Sequence, residues 1–373
     1  MTLLRKSAFR LYRYSCISAL FSSLALQLTF ATEVSKEEFH YPGREWETIQ
    51  ASTLTPTCKN QLSEARTLFQ SLATSSVIAV QDGRILFSYG QTDRASIIES
   101  ARKSLLSMMY GKYVENGSID LNMTLEEIGI DDTGGLLPQE RQARLQDLLT
   151  ARSGVFHLAA NAGDDLKHAP ARGSQAAGSY FLYNNWDFNV AGNIFERLTK
   201  RDIYRTFEED IAQPLQLQDF RLKAQRKFGD KNKSLYMPYH FFLSTRDMAR
   251  IGYLALTKGR WNNQQIVPAV WLAKSTASFT ASSEMHPDST AARHVGYGYM
   301  WWVLEETTAS PLHGAYMAWG LQGQYLLIIP KSRMVIAHKR ELPVAGNWKA
   351  PGVSKDNFLA AARLLATAHC ELP

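Results

Sequence analysis

The chain has 373 residues, of which 45% are hydrophobic and 20% are charged. This composition is typical of a globular protein with one large domain or two smaller ones. Four of its 41 basic residues and none of its 35 acidic residues fall within residues 1–31, so the rest of the chain holds 37 basic against 35 acidic residues. With so small an excess, and no basic stripe interleaved with aromatic residues, we expect no nucleic-acid partner.

The first 31 residues have the pattern of an export signal. Basic residues between Arg5 and Arg13 precede an uncharged apolar run at 16–30, which ends in the small-x-small pattern Thr29-Phe30-Ala31. We therefore expect cleavage after Ala31 and a periplasmic or secreted protein. Retention as a membrane anchor stays open, although the run is short for a full span. No other stretch is long enough to cross a bilayer, so we expect no further membrane contact.

The next predicted elements are a helix and a hairpin. The helix runs from Lys59 to Thr74, and two short β runs follow at Val77–Val80 and Ile85–Phe87. The Asp82-Gly83 pair between them is a strong hairpin-turn signal. A strongly helical run then extends from Ser100 to about Tyr113.

The remainder of the chain is first helical and then β. Helix patterns occur at Leu145–Ala151, Phe188–Leu198, Ile203–Ile211, Thr245–Leu256 and Pro268–Ser275, and again at the end from Asn357 to His369. Strands are predicted at Tyr299–Leu304, Tyr325–Ile329 and Met334–His338. Two long polar loops, 157–179 and 280–295, are typical of lids or walls of a site. Strands at both ends and helices between them predict an α+β fold, with one antiparallel sheet made from the two chain ends.

Ser100 and Lys103 carry the first chemical signal. Residues three apart on a helix share a face, which puts the hydroxyl in reach of the amine. A serine is a poor nucleophile until a base takes its proton, and a lysine with a lowered pKa can be that base. A capping serine beside a solvated lysine is the structural alternative.

Two further stretches strengthen this signal. Tyr183 beside a lysine ammonium can ionise more easily and act as general base or acid, and Asn185 can donate to a substrate carbonyl. The glycine loop from Ala318 to Gln324 precedes the Tyr325 strand, and the N–H groups of Leu321 and Ser100 can form an oxyanion hole. Each stretch alone also fits a structural role, as an aromatic turn or an ordinary glycine loop.

Taken together and in this order, these motifs resemble the serine hydrolases of the penicillin-binding-protein and class C β-lactamase superfamily, over roughly residues 60–370. Residues 148–154, Leu-Leu-Thr-Ala-Arg-Ser-Gly, also resemble its Leu-Leu-Thr-His-x-Ser-Gly segment. The resemblance implies a β-lactamase-like fold with a sheet of five or more strands flanked by helices. Its α/β part would comprise 56–104 and 290–373, and its helical part 105–289.

The resemblance also implies roles for individual residues. Ser100 is the nucleophile, Lys103 its activating partner, and Tyr183 the second base and leaving-group acid. Asn185 falls at the substrate-contacting asparagine. Gly320 matches the glycine of the superfamily's Lys-Thr-Gly motif, and Leu321 the oxyanion donor after it.

One departure from the superfamily bears on specificity. Ala318 and Trp319 replace the lysine and threonine of Lys-Thr-Gly, which hold the carboxylate of a β-lactam or stem peptide. Without the motif's lysine, we expect short neutral esters to be cleaved far better than penicillins or cephalosporins. The departure also moves the chain towards the branch of carboxylesterases and 6-aminohexanoate-dimer hydrolases, which resembles this chain in its Gly-x-x-Gly-Gln loop. Trp319, Gly320 and Gln324 are the expected substrate contacts, with Arg152 and His313 the other candidates for binding a carboxylate.

The sequence thus predicts an exported serine hydrolase that cleaves a small ester or amide through an acyl-enzyme on Ser100. We expect neither cofactor nor metal, since no His-Glu-x-x-His and no cysteines at metal spacing occur. A weak β-lactamase, D-aminopeptidase or DD-peptidase is one alternative, and a catalytically silent protein that binds cell-wall fragments is another. The oligomeric state stays open.

Cys58 and Cys370 would be the two cysteines left after cleavage of the signal. In an oxidising compartment an even pair favours a disulfide, and two unpaired thiols are the alternative. In the resembling fold the first and last helices pack side by side, which would bring these cysteines together.

Overall fold

The computed structural model of the protein describes residues 39–341, 351–368 and 370. The predicted signal segment, residues 1–31, lies outside these ranges. Within them, no helix combines the length and the apolar character that crossing a membrane requires.

Helices occur along the whole described chain. In chain order they are α1 (Pro56–Ser71), α2 (Arg102–Glu115), α3 (Leu125–Ile128), α4 (Leu145–Leu149), α5 (Asn185–Thr199), α6 (Ile203–Phe207), α7 (Thr245–Leu256), α8 (Ala269–Ser275), α9 (Asp288–Ala291) and α10 (Lys355–Ala366). A π-helical turn, Glu208–Ala212, continues α6.

Within the described ranges, the strands fall into one large sheet and four two-stranded pairs. In chain order they are β1 (Ser76–Gln81), β2 (Arg84–Gly90), β3 (Ser96–Ile97), β4 (Phe181–Leu182), β5 (Arg226–Lys227), β6 (Tyr239–His240), β7 (Phe242–Leu243), β8 (Arg260–Trp261), β9 (Gln264–Gln265), β10 (Met285–His286), β11 (Val295–Tyr297), β12 (Trp302–Leu304), β13 (Tyr316–Gly320), β14 (Gln324–Ile329) and β15 (Met334–Lys339). The large sheet has seven strands in the order β11-β12-β13-β14-β15-β1-β2, all antiparallel.

The β1–β2 hairpin has the turn that the Asp-Gly pair predicts. Asp82 and Gly83 have φ angles of 46° and 77°, the left-handed values of a type I′ turn. A Cβ atom on Gly83 would lie 1.9 Å from the His40 carbonyl oxygen, so only glycine fits there.

Helices cover both faces of the sheet. On one face α7 packs closely, because a Cβ atom on Gly252 would already lie 2.5 Å from Val335. On the other face Phe358 of α10 stacks on Tyr325 with ring centroids 4.4 Å apart, and Phe69 of α1 stacks on His338 at 5.8 Å. The sheet is therefore the buried middle layer of the structure.

The predicted α+β fold with an antiparallel sheet from both chain ends is confirmed. The strand predictions omitted β11 and β13, and one of them was wrong. Tyr299–Leu304 is a turn followed by β12, because Met300 has a φ of 60° and donates its N–H to Leu149 instead of to a neighbouring strand. The first residues of the expected loop, 318–320, complete β13. The division into an α/β part and a helical part at 104/105 and 289/290 stays a prediction.

Cys58 at the start of α1 and Cys370 after α10 form a disulfide, as predicted, with Cα atoms 5.2 Å apart. Both residues are buried, and Gln61 of α1 also donates to the carbonyl of Thr367 beyond α10. The bond closes a loop with a sequence separation of 312 residues. Such long loops lose much conformational freedom in the unfolded chain when they are closed.

We expect the Cys58→Ala/Cys370→Ala double variant to lose about 2–5 kcal/mol of unfolding free energy, because its unfolded chain is no longer cross-linked. Urea unfolding of the oxidised wild type and the variant measures the difference. Reducing the wild type should reproduce the loss, while the variant should not respond to reductant. Two titratable thiols in denatured, unreduced protein that begins after Ala31 would contradict the disulfide itself.

Candidate active site

Ser100 lies in a tight turn directly before α2. Residues Glu99–Ala101 form one 3-10 turn, so the α-helix begins at Arg102 and not at Ser100 as predicted. Glu99 has a φ of 50°, a left-handed conformation that residues other than glycine rarely adopt. The N–H of Ile98 donates to the Phe241 carbonyl at 3.1 Å and ties the approach to the turn. The hydroxyl is thus mounted on a constrained backbone at the N-terminus of a buried helix.

Lys103 is the centre of the hydrogen-bond network. Its Nζ donates to Ser100 Oγ at 2.9 Å, to Tyr183 OH at 2.5 Å and to Asn185 Oδ1 at 2.8 Å. Three oxygens thus lie within hydrogen-bond distance of this amine. Lys103 is only 2% exposed. The structure therefore brings together four predicted site residues that lie up to 85 positions apart in the chain.

The surroundings of Lys103 favour its neutral form. Burial lowers the pKa of Lys103 well below its usual value, and the nearby charge of Arg102 lowers it further, while Asp164 and Glu99 act in the opposite direction. A neutral amine beside Ser100 Oγ can accept the hydroxyl proton. The geometry and the shifted pKa together suit a general base.

Tyr183 retains its proton. Burial raises the pKa of Tyr183 to about 12, although the hydrogen bond with Ser100 and the charge of Arg102 act to lower it. Burial therefore opposes the easier ionisation that was expected for this phenol, and the net effect on its pKa is a rise. A protonated phenol in this position suits the donation of a proton to a leaving group.

Arg102 is a buried charge next to this network. Its guanidinium donates to Asn189 Oδ1 at 3.1 Å and lies 5.1 Å from the centre of the Tyr239 ring. Only 1% of Arg102 is exposed, and no carboxylate of the described ranges forms an ion pair with it. Its charge therefore acts on Lys103 without a close counterion.

We expect Arg102→Gln to move the acidic limb of the kcat/KM profile to higher pH. The base must be neutral to act, so activity rises as pH passes through the pKa of Lys103. Removal of a neighbouring positive charge raises that pKa. Rate–pH profiles of the wild type and the variant measure the shift.

Arg102→Lys keeps the charge and should leave the acidic limb of the kcat/KM profile close to its position in the wild type. Arg205→Gln removes an exposed arginine of α6 and serves as the matched control. A limb that stays in place or moves to lower pH in Arg102→Gln would contradict the electrostatic role.

Asn185 is committed to the protein rather than to a substrate. It is the first residue of α5, its Oδ1 accepts from Lys103, and its Nδ2 donates to the Ala162 carbonyl at 3.0 Å. Its backbone N–H donates to Asp164 Oδ2 at 3.1 Å, and only 1% of the residue is exposed. The predicted substrate contact is thus not supported, because the oxygen and the nitrogen of the side-chain amide both form hydrogen bonds within the protein. Asn185 instead positions Lys103.

Gly320 allows β13 to press against the nucleophile turn. A Cβ atom there would lie 2.4 Å from the Ile98 carbonyl oxygen and 3.2 Å from the Ala101 nitrogen. Leu321 follows directly in the chain, and its role as the second oxyanion donor stays a prediction. Strand β12 pairs only with Tyr316 and Met317, which leaves the outer edge of β13 without a strand partner from Ala318 onward in the described structure.

An aromatic wall continues from Tyr183. Trp302 stacks on the Tyr183 ring with centroids 5.4 Å apart, and Trp319 contacts Trp302 at the same centroid distance. The guanidinium carbon of Arg293 lies 6.0 Å from the Trp302 ring and 5.5 Å from the Trp319 ring. A cation thus lies near Trp319 although the motif's lysine is absent, because the loop after α9 supplies it.

Gln324 does not reach this wall. It is fully buried, and its Nε2 donates to the carbonyl of Arg340 beside the neighbouring strand. A substrate cannot contact a side chain that has no exposed surface, so this predicted contact was wrong. Gln324 instead pairs with Gly320 across the β13–β14 hairpin, so its role is structural.

The other candidates for binding a carboxylate lie elsewhere. Arg152 donates to the Gly178 carbonyl and to Thr280 Oγ1, both at 2.9 Å. It lines a cavity of about 350 Å³ that none of Ser100, Lys103 and Tyr183 borders. His313 is exposed and bonded to the Glu306 carbonyl.

The two long polar loops meet beside Tyr183, as walls of a site would. From the first loop, Asp165 donates its N–H to the Tyr183 carbonyl at 2.9 Å. From the second, Thr290 donates its hydroxyl to Asp165 Oδ2 at 2.7 Å. The ring of Tyr180 also stacks on His286 with centroids 4.2 Å apart.

Comparisons with known proteins agree with this arrangement. At the sequence level, the chain is 28% identical over 167 residues to Monacolin J acid methylbutanoyltransferase from Aspergillus terreus. That match covers 37% of this chain and only 40% of the relative, so the chain spans about two fifths of the length of this curated relative.

Solved structures share the fold more broadly. A candidate 6-aminohexanoate-dimer hydrolase from Bacillus anthracis has a TM-score of 0.60 and 18% identity, over 82% of this chain and 81% of its own. A class C beta-lactamase has a TM-score of 0.58 and 12% identity, over 83% of this chain and 96% of its own. These similarities confirm the β-lactamase-like fold that the motifs implied.

A profile of the Beta-lactamase family matches residues 66–338, well over half of the chain. The matched region contains Ser100, Lys103 and Tyr183, and it extends from α1 into β15. The chain therefore belongs to the Beta-lactamase family, whose superfamily consists of serine hydrolases.

Proposed function

We propose that the protein is an exported serine hydrolase that cleaves a small ester or amide through an acyl-enzyme on Ser100. The observation that carries the proposal is the position of Lys103. Its Nζ lies 2.9 Å from Ser100 Oγ in surroundings that lower its pKa. Membership in a family of serine hydrolases supports the same chemistry.

In the first half-reaction, Lys103 takes the proton of Ser100 and Oγ forms a bond to the substrate carbonyl carbon. The N–H groups of Ser100 and Leu321 hold the resulting oxyanion. The bond to the leaving group then breaks as Tyr183 gives that group a proton, and Lys103 returns a proton to Tyr183. The products are the acyl-enzyme, the free alcohol or amine, and the original protonation states.

In the second half-reaction, water attacks the acyl carbon. Its proton passes through Tyr183 to Lys103, and Ser100 Oγ is released as it recovers that proton. The phenol and the amine, 2.5 Å apart, can exchange protons directly. No cofactor takes part in these steps.

A fluorophosphonate probe separates an enzyme from a silent binding protein, because it labels only an activated serine. We expect stoichiometric labelling of Ser100. Absence of both labelling and ester hydrolysis would overturn the proposed function. A chromogenic cephalosporin tested beside p-nitrophenyl esters separates an esterase from a β-lactamase or peptidase.

Export rests on the sequence of residues 1–31 and is supported by the Cys58–Cys370 disulfide, since disulfides persist in oxidising compartments. N-terminal sequencing of protein recovered from the periplasm or the medium should begin at Thr32. A chain that starts at Met1 would instead indicate a retained segment.

Transfer of the acyl group to an alcohol is the second candidate. It is favoured by the similarity to a methylbutanoyltransferase, and it shares the entire first half-reaction. Product analysis with a hydroxylated acceptor in excess decides between the two. If the acceptor leaves the fraction of turnovers that release free acid unchanged, the reaction is hydrolysis. If an ester of the acceptor accumulates instead, the reaction is acyl transfer.

A further inference from the structure

We propose that Arg293 binds a carboxylate of the substrate, so that the enzyme prefers anionic esters or amides to neutral ones of the same shape. This inference rests on the proposed function and names the substrate class of that same site. The family's motif places its cation on the strand, at the position of Ala318. Here the cation comes from the loop after α9.

The first argument is the position of the guanidinium. It lies against the rings of Trp319 and Trp302, with its central carbon 5.5 and 6.0 Å from their centroids. Trp302 in turn stacks on Tyr183, whose hydroxyl binds Lys103. The charge also acts on Tyr183, where it opposes the effect of burial on the pKa. Arg293 therefore lies close enough to the reacting groups for its charge to act on one of them.

The second argument is that this charge has no counterion. No carboxylate in the part of the chain that the structure describes pairs with Arg293, whereas Arg172, Arg201 and Arg246 each pair with an acidic residue. Its side chain is only partly exposed. A cation that is partly withdrawn from water and stacked on indole rings is well prepared to bind an anion.

The third argument is the fixed backbone. The Arg293 N–H donates to the Thr290 carbonyl at 3.1 Å, and its carbonyl accepts from Lys355 Nζ at 2.6 Å. The Thr290 hydroxyl donates a hydrogen bond to Asp165 Oδ2, and the Asp165 N–H donates one to the Tyr183 carbonyl. These hydrogen bonds hold the backbone of Arg293 in place relative to the segment that carries Tyr183. A defined distance between the anion site and the reacting atoms favours substrates whose length matches it.

The chemistry of the pocket defines the substrate further. A guanidinium presents two parallel N–H groups to the two oxygens of a carboxylate. The indole faces on either side suit an apolar or aromatic portion between the carboxylate and the scissile bond. We infer a substrate with an anionic end, an apolar middle and an ester or amide.

Two matched substrate pairs test the proposal. In the first pair, p-nitrophenyl hemiglutarate and p-nitrophenyl valerate differ by a carboxylate on the acyl chain. In the second, p-acetoxybenzoate and p-tolyl acetate differ by a carboxylate on the leaving group. The measured quantity is the anionic-to-neutral ratio of kcat/KM in each pair, for the wild type, Arg293→Gln, Arg293→Lys and the control Arg205→Gln.

In at least one pair, we expect Arg293→Gln to lower this ratio by about tenfold to a hundredfold, as for other lost charge-assisted contacts. Arg293→Lys should retain part of the ratio, and Arg205→Gln all of it. Because a ratio is compared, a general loss of folded protein cannot imitate the effect. The pair that responds also shows which side of the scissile bond carries the anion.

Equal ratios in the wild type and in Arg293→Gln for both pairs would overturn the proposal. If neutral esters are hydrolysed under those conditions, the proposed function survives and only the anion site is lost. If no ester is hydrolysed and the fluorophosphonate does not label Ser100, the proposed function fails as well.

Discussion

Ser100→Ala is expected to lower kcat by about a thousandfold or more, as for other lost nucleophiles, while leaving the fold intact. The mutation removes one oxygen, and with it the atom that forms the acyl-enzyme. The lost contacts are the hydrogen bond between Ser100 and Tyr183 and the one from Lys103 Nζ at 2.9 Å, whose two other acceptors, Tyr183 and Asn185, remain. The backbone N–H of residue 100 also remains, so binding should be affected far less than turnover.

The measurement is burst and steady-state hydrolysis of an activated ester, together with fluorophosphonate labelling. Ser63→Ala on the exposed side of α1 is the matched control and should behave as the wild type. A mutant with activity near that of the wild type would remove Ser100 from the mechanism. Thermal unfolding confirms that any loss is not a loss of fold.

The sequence predicted the reacting cluster well because each member is carried by a local motif. Ser100 and Lys103 are three residues apart at a helix start, so their contact follows from helix geometry even though the first turn proved to be 3-10. The hairpin at Asp82-Gly83 was likewise predictable, because the turn residues alone determine it.

The pocket around the cluster was less accessible to sequence analysis. Arg293 lies 110 positions from Tyr183 and 26 from Trp319, in a loop without a motif, and only the packing of β12 against β13 brings the three together. Gln324 and Asn185 were assigned to the substrate from their motif positions. Their burial and their internal hydrogen bonds depend on tertiary contacts that no local pattern records.

The charge state of the site was the least predictable property. Tyr183 was expected to ionise more easily beside the ammonium of Lys103. Burial acts oppositely on the two groups, since it disfavours both the phenolate and the ammonium. Burial thus lowers the pKa of the amine and raises that of the phenol, so the amine is the group suited to act as the base. Arg102, whose charge strengthens this outcome, was not singled out in the sequence because an arginine beside a motif carries no signal of its own.

Lys103→Met is expected to lower kcat/KM by about a thousandfold or more, because no other group near Ser100 can take its proton. The nearest alternative, Tyr183, has its pKa raised to about 12 by burial and holds its proton at neutral pH. Methionine has a similar length, so the space in the core stays filled. The activity assay is the same as for Ser100→Ala, with Lys59→Met on the exposed side of α1 as the control.

The stability of the same variant should change little, and this contrast identifies Lys103 as a functional rather than a structural residue. Burying an amine is costly, and methionine removes that cost while it fills the same space. Against this gain, Asn185 Oδ1 loses its donor, a loss of roughly 1–3 kcal/mol for a buried acceptor. The two effects nearly offset, so we expect the unfolding free energy to stay within about 2 kcal/mol of the wild type. Activity within tenfold of the wild type would exclude Lys103 as the base, and a large loss of stability would instead indicate that its main role is to hold the three oxygens together.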